Sequence, residues 1–475
     1  MTPRAAFEYL NRVTGLAPLT APQFEGDDPI LPTPFRAATA AAASLGLSAA
    51  ACAEIWRLRG GDKQALSVEL SAAAASLSSY ALLKRNGKTL PGPTGTGATT
   101  GFYPCAGGRW VHLHGGSAPQ AMRLLDLLNA RDTSDAVRLA VSKWNGVALE
   151  DAIGFMNLSG ALVRSEEEWH DSAPGRALAK TPPIVLKKIG EAPVLRLQDS
   201  RLPLDGIRVL DLGRVLSGPV ASRTLASYGA DVLNVRAERI DAIAAYDLDA
   251  GHGKRSAFLD LVRPADAECL RKLVRGAHVF VDSHRPGALA RLGFSPAALA
   301  HSAPGIVHVE ISAFGHDGPW AGRRGWEQTV EAATGLALAQ GATRKSGRRE
   351  TVPEALPALV CDYLSAYLAA AGAAAALLRR MREGGSWQVQ VSLAASAMWL
   401  QSLGKIEAAN MPRDWEPRTG LDRYLSSCET STGTLEFLGP VMRMAKTPAA
   451  WRCPPPEAGA DEARWLGLNE EAHAA

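Results

Sequence analysis

Between residues 205 and 312 short apolar runs alternate with helix-forming stretches, and this alternation restricts the fold more than any other feature of the chain. The runs are IRVLDL (207–212), ADVLNV (230–235), HVFVDS (278–283) and GIVHVEIS (305–312). GPVASRTLASYG, PADAECLRKLVRGA and GALARLGFSPAALAHSAP lie between them. Strand, helix, strand at this spacing predicts an α/β fold, a doubly wound, Rossmann-like parallel sheet whose ligands sit beyond the carboxyl ends of the strands. A nicotinamide site is excluded locally. The turn after the first run is GRVLSGP, and Gly213 and Gly218 do not make the G-x-G-x-x-G step that a dinucleotide needs.

At 475 residues the chain exceeds one ordinary core, so two or three compact units are expected. Its 51 basic and 48 acidic residues leave a net charge of +3, which provides no broad basic face for nucleic acid. The N-terminal MTPRAAFEYLNRV lacks an apolar stretch of signal-peptide length, and the Ala-rich runs 37–53 and 364–378 are too short to span a bilayer, so no membrane partner is expected. Six cysteines (52, 105, 269, 361, 428 and 453) form no C-x-x-C pair, which suits reduced thiols in a cytoplasm and no zinc site. GHGKRS (251–256) falls short of a phosphate loop, because Leu248 stands where the first glycine belongs.

Two segments read as versions of one pattern. Residues 37–77 and 361–400 each run through an Ala-rich helix with a basic end, a Gly-Gly pair, a short alternating strand and a second small-residue helix. The glycine pairs are 60/61 and 384/385, and a similar strand begins 47 residues after the first pair, at Gly108, and 48 after the second, at Gly433. Twenty-two residues before Gly384 stands Asp362; twenty-two before Gly60 stands Ala38. An acid at a helix start has a plain explanation, capping, and a chemical one, nucleophilic attack. A cap is needed equally by both copies, although Thr39 is near enough to serve the first, so the asymmetry favours chemistry at Asp362. Elsewhere, the glycine-rich 91–101 reads as a flexible loop, and SEEEWHD (165–171) reads as a capping box, Ser165 with Glu168, rather than a metal cluster of Glu168, His170 and Asp171.

The run LPLDGIRVLDLGRVLSGPVASRTLASYGADVLNV, followed by GKRSAFLDL, VDSHRPGALARLGFSPAALA and GIVHVEISAFGHDGPWAGRRGWEQ, closely resembles the class III CoA-transferase family, the CaiB/BaiF superfamily. The motifs cover about residues 202–330 in order, and Asp362 in LVCDYLSAYLAA falls where that family keeps its catalytic aspartate. The resemblance implies transfer of coenzyme A between carboxylic acids through enzyme-bound anhydride and thioester intermediates. Coenzyme A is then a substrate, with no further cofactor and no metal. It assigns CoA contacts to Val215 and Leu216, to Leu259, to Ser283, His284 and Arg291 of the RPG loop, and to Arg324 before GWE; Arg285 is either a surface charge or part of that loop's site. The glycine turn FGHDG, Gly315 and Gly318, is a candidate oxyanion donor.

Departures from the family pattern are Val262 in place of a lysine, Arg236 in place of an acid, and no run of four glycines to cover the intermediate. The expected division is 1–200, a degenerate repeat with the small α+β lobe; 201–385, the Rossmann-like catalytic domain; and 386–475, a C-terminal segment returning to the large domain. Partners are an acyl-CoA and a carboxylic acid. Family members are interlocked dimers, so a homodimer is expected, unless the duplication lets one chain imitate two. Two alternatives remain: an acyl-CoA racemase, disfavoured because Trp326 occupies the place of its histidine and His316 lies about ten residues early, and a CoA-binding scaffold without turnover.

Overall fold

The structure is a computed structural model and describes residues 1–91, 97–240, 243–343 and 351–466. Residues 92–96 of the glycine-rich stretch 91–101 lie outside the described residues.

Its centre is a seven-stranded sheet. In chain order the strands are β1 (Val185–Gly190), β2 (Arg208–Asp211), β3 (Asp231–Arg236), β4 (Lys254–Phe258), β5 (Val279–Asp282), β6 (Val307–Ser312) and β7 (Ser386–Ser392). They lie in the order β4-β3-β2-β5-β6-β7-β1, all parallel except β1. The strand order reverses between β2 and β5, where a doubly wound sheet opens a crevice for ligand. The four expected strands are present. The sheet is not confined to 201–385, however. Residues 386–392 complete its parallel part, in register with β6 from Val307 with Trp387 to Ser312 with Ser392. VLKKIG, 185–190, adds the antiparallel edge, where lysines are tolerated because that edge meets solvent.

Four helices position the site: α1 (Ala37–Leu58), α2 (Ser217–Ala226), α3 (Glu327–Thr334) and α4 (Val360–Glu383). The Ala-rich α1 and α4 pack against each other, and α4 also packs on α2. Alanine faces let helix backbones approach closely, and the ion pair of Arg382 with Glu54 at 2.6 Å ties the C-terminal ends of α4 and α1 together. At 22 and 24 residues both helices are long and apolar enough for a membrane span, contrary to the length expected from their Ala-rich runs. Their apolar surface is used inside the protein, where 89% and 94% of the most apolar windows are buried.

Both copies of the proposed pattern form a helix, a strand and a second helix: α1, Leu66–Glu69 and Leu70–Ser76 in the first, and α4, β7 and Leu393–Ser402 in the second. The two strands join different sheets. A small lobe has its own core, including Val111, Leu124, Val137, Leu149 and Ile153, built from the antiparallel strands Gly101–Pro104, Trp110–His114 and Ser159–Leu162 and three helices between residues 118 and 155. Ser165 and Glu168 form the expected capping box.

Candidate active site at the carboxyl edge of the sheet

Two turns meet at the crevice between β2 and β5. Gly213 and Gly218 close the first so tightly that a Cβ on Gly213 would lie 2.8 Å from the Cα of Gly218. Only glycine fits both positions. Asp211, fully buried at the end of β2, accepts from Gly213 N at 2.8 Å and from Lys254 Nζ at 2.9 Å. Lys254 also donates to Pro219 O and Ser222 Oγ, each at 2.7 Å. The lysine of GKRS is therefore a bolt under the turn. Above it Val215 stands at φ +65°, a left-handed conformation that is a true outlier for a β-branched residue and is found at constrained functional sites.

Leu216, buried, precedes α2, and Ser217 opens that helix. Ser283, just after β5, accepts from Arg214 N at 3.0 Å and so joins the two turns. His284 donates its backbone N–H to Asp282 Oδ1 at 2.7 Å, with its Nδ1 2.9 Å from the same oxygen.

Asp362 lies in the first turn of α4, where its carboxylate accepts a short hydrogen bond from Ser217 Oγ. Its side chain does not cap the helix. Glu327, the first residue of α3 and buried, accepts from Cys361 N at 2.8 Å and from Asp362 N at 2.6 Å. In the first copy Asp28 does the same for α1, accepting from Thr39 N at 2.9 Å, while Ala38 is completely buried. Each helix thus borrows its cap from a preceding segment, and the Asp362 carboxylate is left for other work.

Burial pushes the Asp362 carboxyl up to about 6, with the Ser217 bond pulling it down. Burial also raises Glu327 well above the usual carboxylate range, assisted by the charges of Asp362 and Glu331. Glu331, whose carboxylate accepts from Leu356 N at 3.2 Å, is pushed up to about 7, chiefly by burial. Three acids on two helices therefore compete for ionisation. Asp362 alone of the three is partly open to solvent; both glutamates are buried. Cys361, next to it, is fully buried and its thiol is pushed up by burial, which removes it as a competing nucleophile.

Residues 1–200 reach this site. Tyr80 packs edge-on against Tyr246, with ring centroids 4.9 Å apart, and Tyr246 is near enough to Asp362 that the aspartate's charge, after burial, helps raise its hydroxyl. His114 of the small lobe stacks on Trp326 at 4.5 Å and 7°, so the ring at the GWE position is held as a wall.

Of the residues assigned to CoA, Val215, Leu216, Ser283 and His284 gather at the crevice. Leu259, after β4, is buried in the core beneath it. Arg291 is exposed on the short turn Ala290–Leu292. Arg324 is half-buried, and its guanidinium pKa is lowered by burial and by the neighbouring charges of Arg285 and Arg123. Arg285 donates to Asn157 Oδ1 at 2.7 Å and Arg123 to the carbonyl of Met156 at 2.6 Å. Three guanidiniums in one neighbourhood repel unless an anion lies among them. Arg123 carries no sequence signal, because its partners are 162 and 201 residues away.

The FGHDG turn is packed on the helix Ala173–Leu178, with Gly315 against Leu178 and Gly318 against Ala177. No hydrogen bond among the described residues joins it to Asp362. Arg236 pairs with Asp247 at 2.7 Å.

Comparison with known proteins finds similarity to CoA-transferases. A model of CoA-transferase family III matches residues 204–424. An acyl-CoA transferase of Gibberella moniliformis is 30% identical over 421 residues, covering 80% of this chain and 73% of that protein. A succinate–glutarate CoA-transferase of Agrobacterium fabrum is 30% identical over 209 residues, covering 40% of this chain and 51% of that protein. The solved structure of a CAIB/BAIF family protein from Brucella suis is 24% identical, covers 50% of this chain and 65% of that chain, and aligns with a TM-score of 0.38.

Proposed function

This chain belongs to CoA-transferase family III, and on that premise we propose that it moves coenzyme A from an acyl-CoA thioester to a carboxylic acid, with Asp362 as the covalent nucleophile. The observation that carries the reading is the division of labour at the start of α4. Glu327 caps the helix, so the Asp362 carboxylate is free of that duty and is aimed at the N-terminus of α2 through Ser217.

The chemistry balances without a proton source. The Asp362 carboxylate attacks the thioester carbonyl; the C–S bond breaks, CoA thiolate leaves and a mixed anhydride remains. The thiolate then attacks the aspartyl carbonyl, releasing the donor acid as carboxylate and leaving an aspartyl–CoA thioester. An acceptor carboxylate attacks that thioester and expels the thiolate. Return of the thiolate to the acceptor's acyl carbon gives the new acyl-CoA and restores Asp362. A carboxyl pushed up to about 6 is ionised at neutral pH yet more basic than an ordinary aspartate, which favours attack.

Each attack builds negative charge on a carbonyl oxygen. The orphan N–H groups at the start of α2 and the positive end of its dipole lie beside Ser217 and suit that charge, in addition to the Gly315–Gly318 turn considered above. Arg324, Arg285 and Arg123 suit the CoA phosphates, and Tyr80 with Tyr246 suits an acyl group next to Asp362. The same residues serve a cytoplasmic enzyme, in keeping with six cysteines that form no disulfide, and the expected homodimer is open to sedimentation velocity.

Asp362→Asn tests the reading, together with a screen of acyl-CoA donors against carboxylate acceptors read by mass spectrometry. Turnover in wild type and none in the Asn variant is expected. Full activity in the Asn variant overturns the mechanism, and CoA binding without turnover on any pair favours a scaffold.

A further inference from the structure

The face of the sheet beside the RPG loop holds a polar cluster that coenzyme A transfer does not use. His308 and Glu310 alternate along β6 and so project to one side, and β6 pairs Glu310 with Asp282 on β5. One ligand atom from each of Asp282, His308 and Glu310 lies within 4.8 Å of the other two. His308 is 1% exposed, and neither of its ring nitrogens has a hydrogen-bond partner. A buried imidazole with both nitrogens bare, between two carboxylates, is an arrangement that native interiors avoid unless something completes it.

The surroundings are those of an oriented ligand shell. Asp282 Oδ1 is held by His284 N at 2.7 Å, and Glu310 Oε2 accepts from the side-chain amides of Gln388 and Gln390, which face His308 and Glu310 across β7. His316 has Nε2 at 3.1 Å from Val391 O, which places the proton there, and leaves Nδ1 facing Glu310 Oε2 at 4.0 Å.

We propose that Asp282, His308 and Glu310 form a binding site for one divalent transition-metal ion of the zinc type, with His316 beside it. One imidazole, a second at its margin and two carboxylates make a nitrogen–oxygen donor set that suits Zn²⁺ better than Mg²⁺ or Ca²⁺. Bonds of about 2.0–2.1 Å in a tetrahedron put donors roughly 3.4 Å apart, so loading draws the three side chains inward. The metal would fasten β5 to β6 and, through Asp282 and His284, steady the loop after β5. This site does not include Asp362, and the metal-binding readouts below do not depend on transferase activity.

The test uses the full chain without a histidine tag, stripped by chelator, reloaded with Zn²⁺ and measured by elemental mass spectrometry, with a parallel Co²⁺ titration followed in the visible. One equivalent per chain and a cobalt spectrum of nitrogen and oxygen donors are expected. Glu310→Gln and His308→Gln should each weaken binding at least about tenfold. Retention of less than about a tenth of an equivalent overturns the proposal, as does a thiolate–cobalt charge-transfer band or unchanged affinity in Glu310→Gln. If a variant fails to fold, a wild-type melting temperature that does not move between chelator and Zn²⁺ overturns it equally.

Discussion

Ser217 Oγ donates a hydrogen bond to the Asp362 carboxylate across 145 residues of sequence, joining the N-terminal turns of α2 and α4. That bond holds the carboxyl below the value burial alone would give. Ser217→Ala should therefore raise the Asp362 pKa. A hydrogen bond to a charged group contributes about 1.5–3 kcal/mol, so the acid limb of the pH profile of kcat/KM should move up by roughly one to two units. The measurement is the profile between pH 5 and 9 with one acyl-CoA donor; an unmoved limb contradicts the assignment.

Asp362 should also be a stability liability. Its carboxyl is raised in the folded protein from 3.8 to about 6, so the folded state holds a proton that the unfolded chain has released. Below about pH 4 both states are protonated and nothing is lost. From 4 to 6 stability falls as pH rises, and above 6 the full cost stands. Asp362→Asn removes it, so at pH 8 the inactive variant should be more stable than wild type by roughly 1–3 kcal/mol, the gain vanishing by pH 4. Denaturant unfolding at the two pH values checks this.

Val215 stores backbone strain at φ +65°. Glycine occupies that conformation freely, although it adds entropy to the unfolded chain. Val215→Gly should give a net stabilisation of about 1 kcal/mol and a slower enzyme, because the turn that carries Leu216 and Ser217 loses its fixed shape. A thermal melt and kcat, read together, separate the two effects.

The guanidinium cluster makes a prediction about substrate. Arg324→Ala or Arg123→Ala should raise KM for acyl-CoA about tenfold or more and leave KM for the acceptor acid nearly unchanged, since a phosphate contact is made equally in ground and transition states. Raised salt should weaken the wild type more than either variant.

The sequence displayed four of the sheet strands because their apolar runs are bounded by turn residues, and β7 through its alternation after the second glycine pair. It hid β4, Lys254–Phe258, since that strand opens with Lys-Arg, and Lys254 becomes a core residue only when Asp211 comes 2.9 Å from it. It likewise hid β1, whose two lysines lie on an edge. Asp362 could be found by contrast with Ala38. The groups that give Asp362 its properties could not, because Ser217 and Glu327 meet it through packing and share no spacing with it. Capping was the competing explanation, and a glutamate 35 residues upstream settles that question through contacts visible only in three dimensions.

The central claim is a covalent bond at Asp362. Wild type incubated with a working acyl-CoA donor and then hydroxylamine or borohydride should carry one modification per chain, and peptide mapping should place it at Asp362. Modification of Glu327, of Glu331 or of a cysteine, or sustained turnover with an unmodified Asp362 under the same trapping conditions, would contradict it.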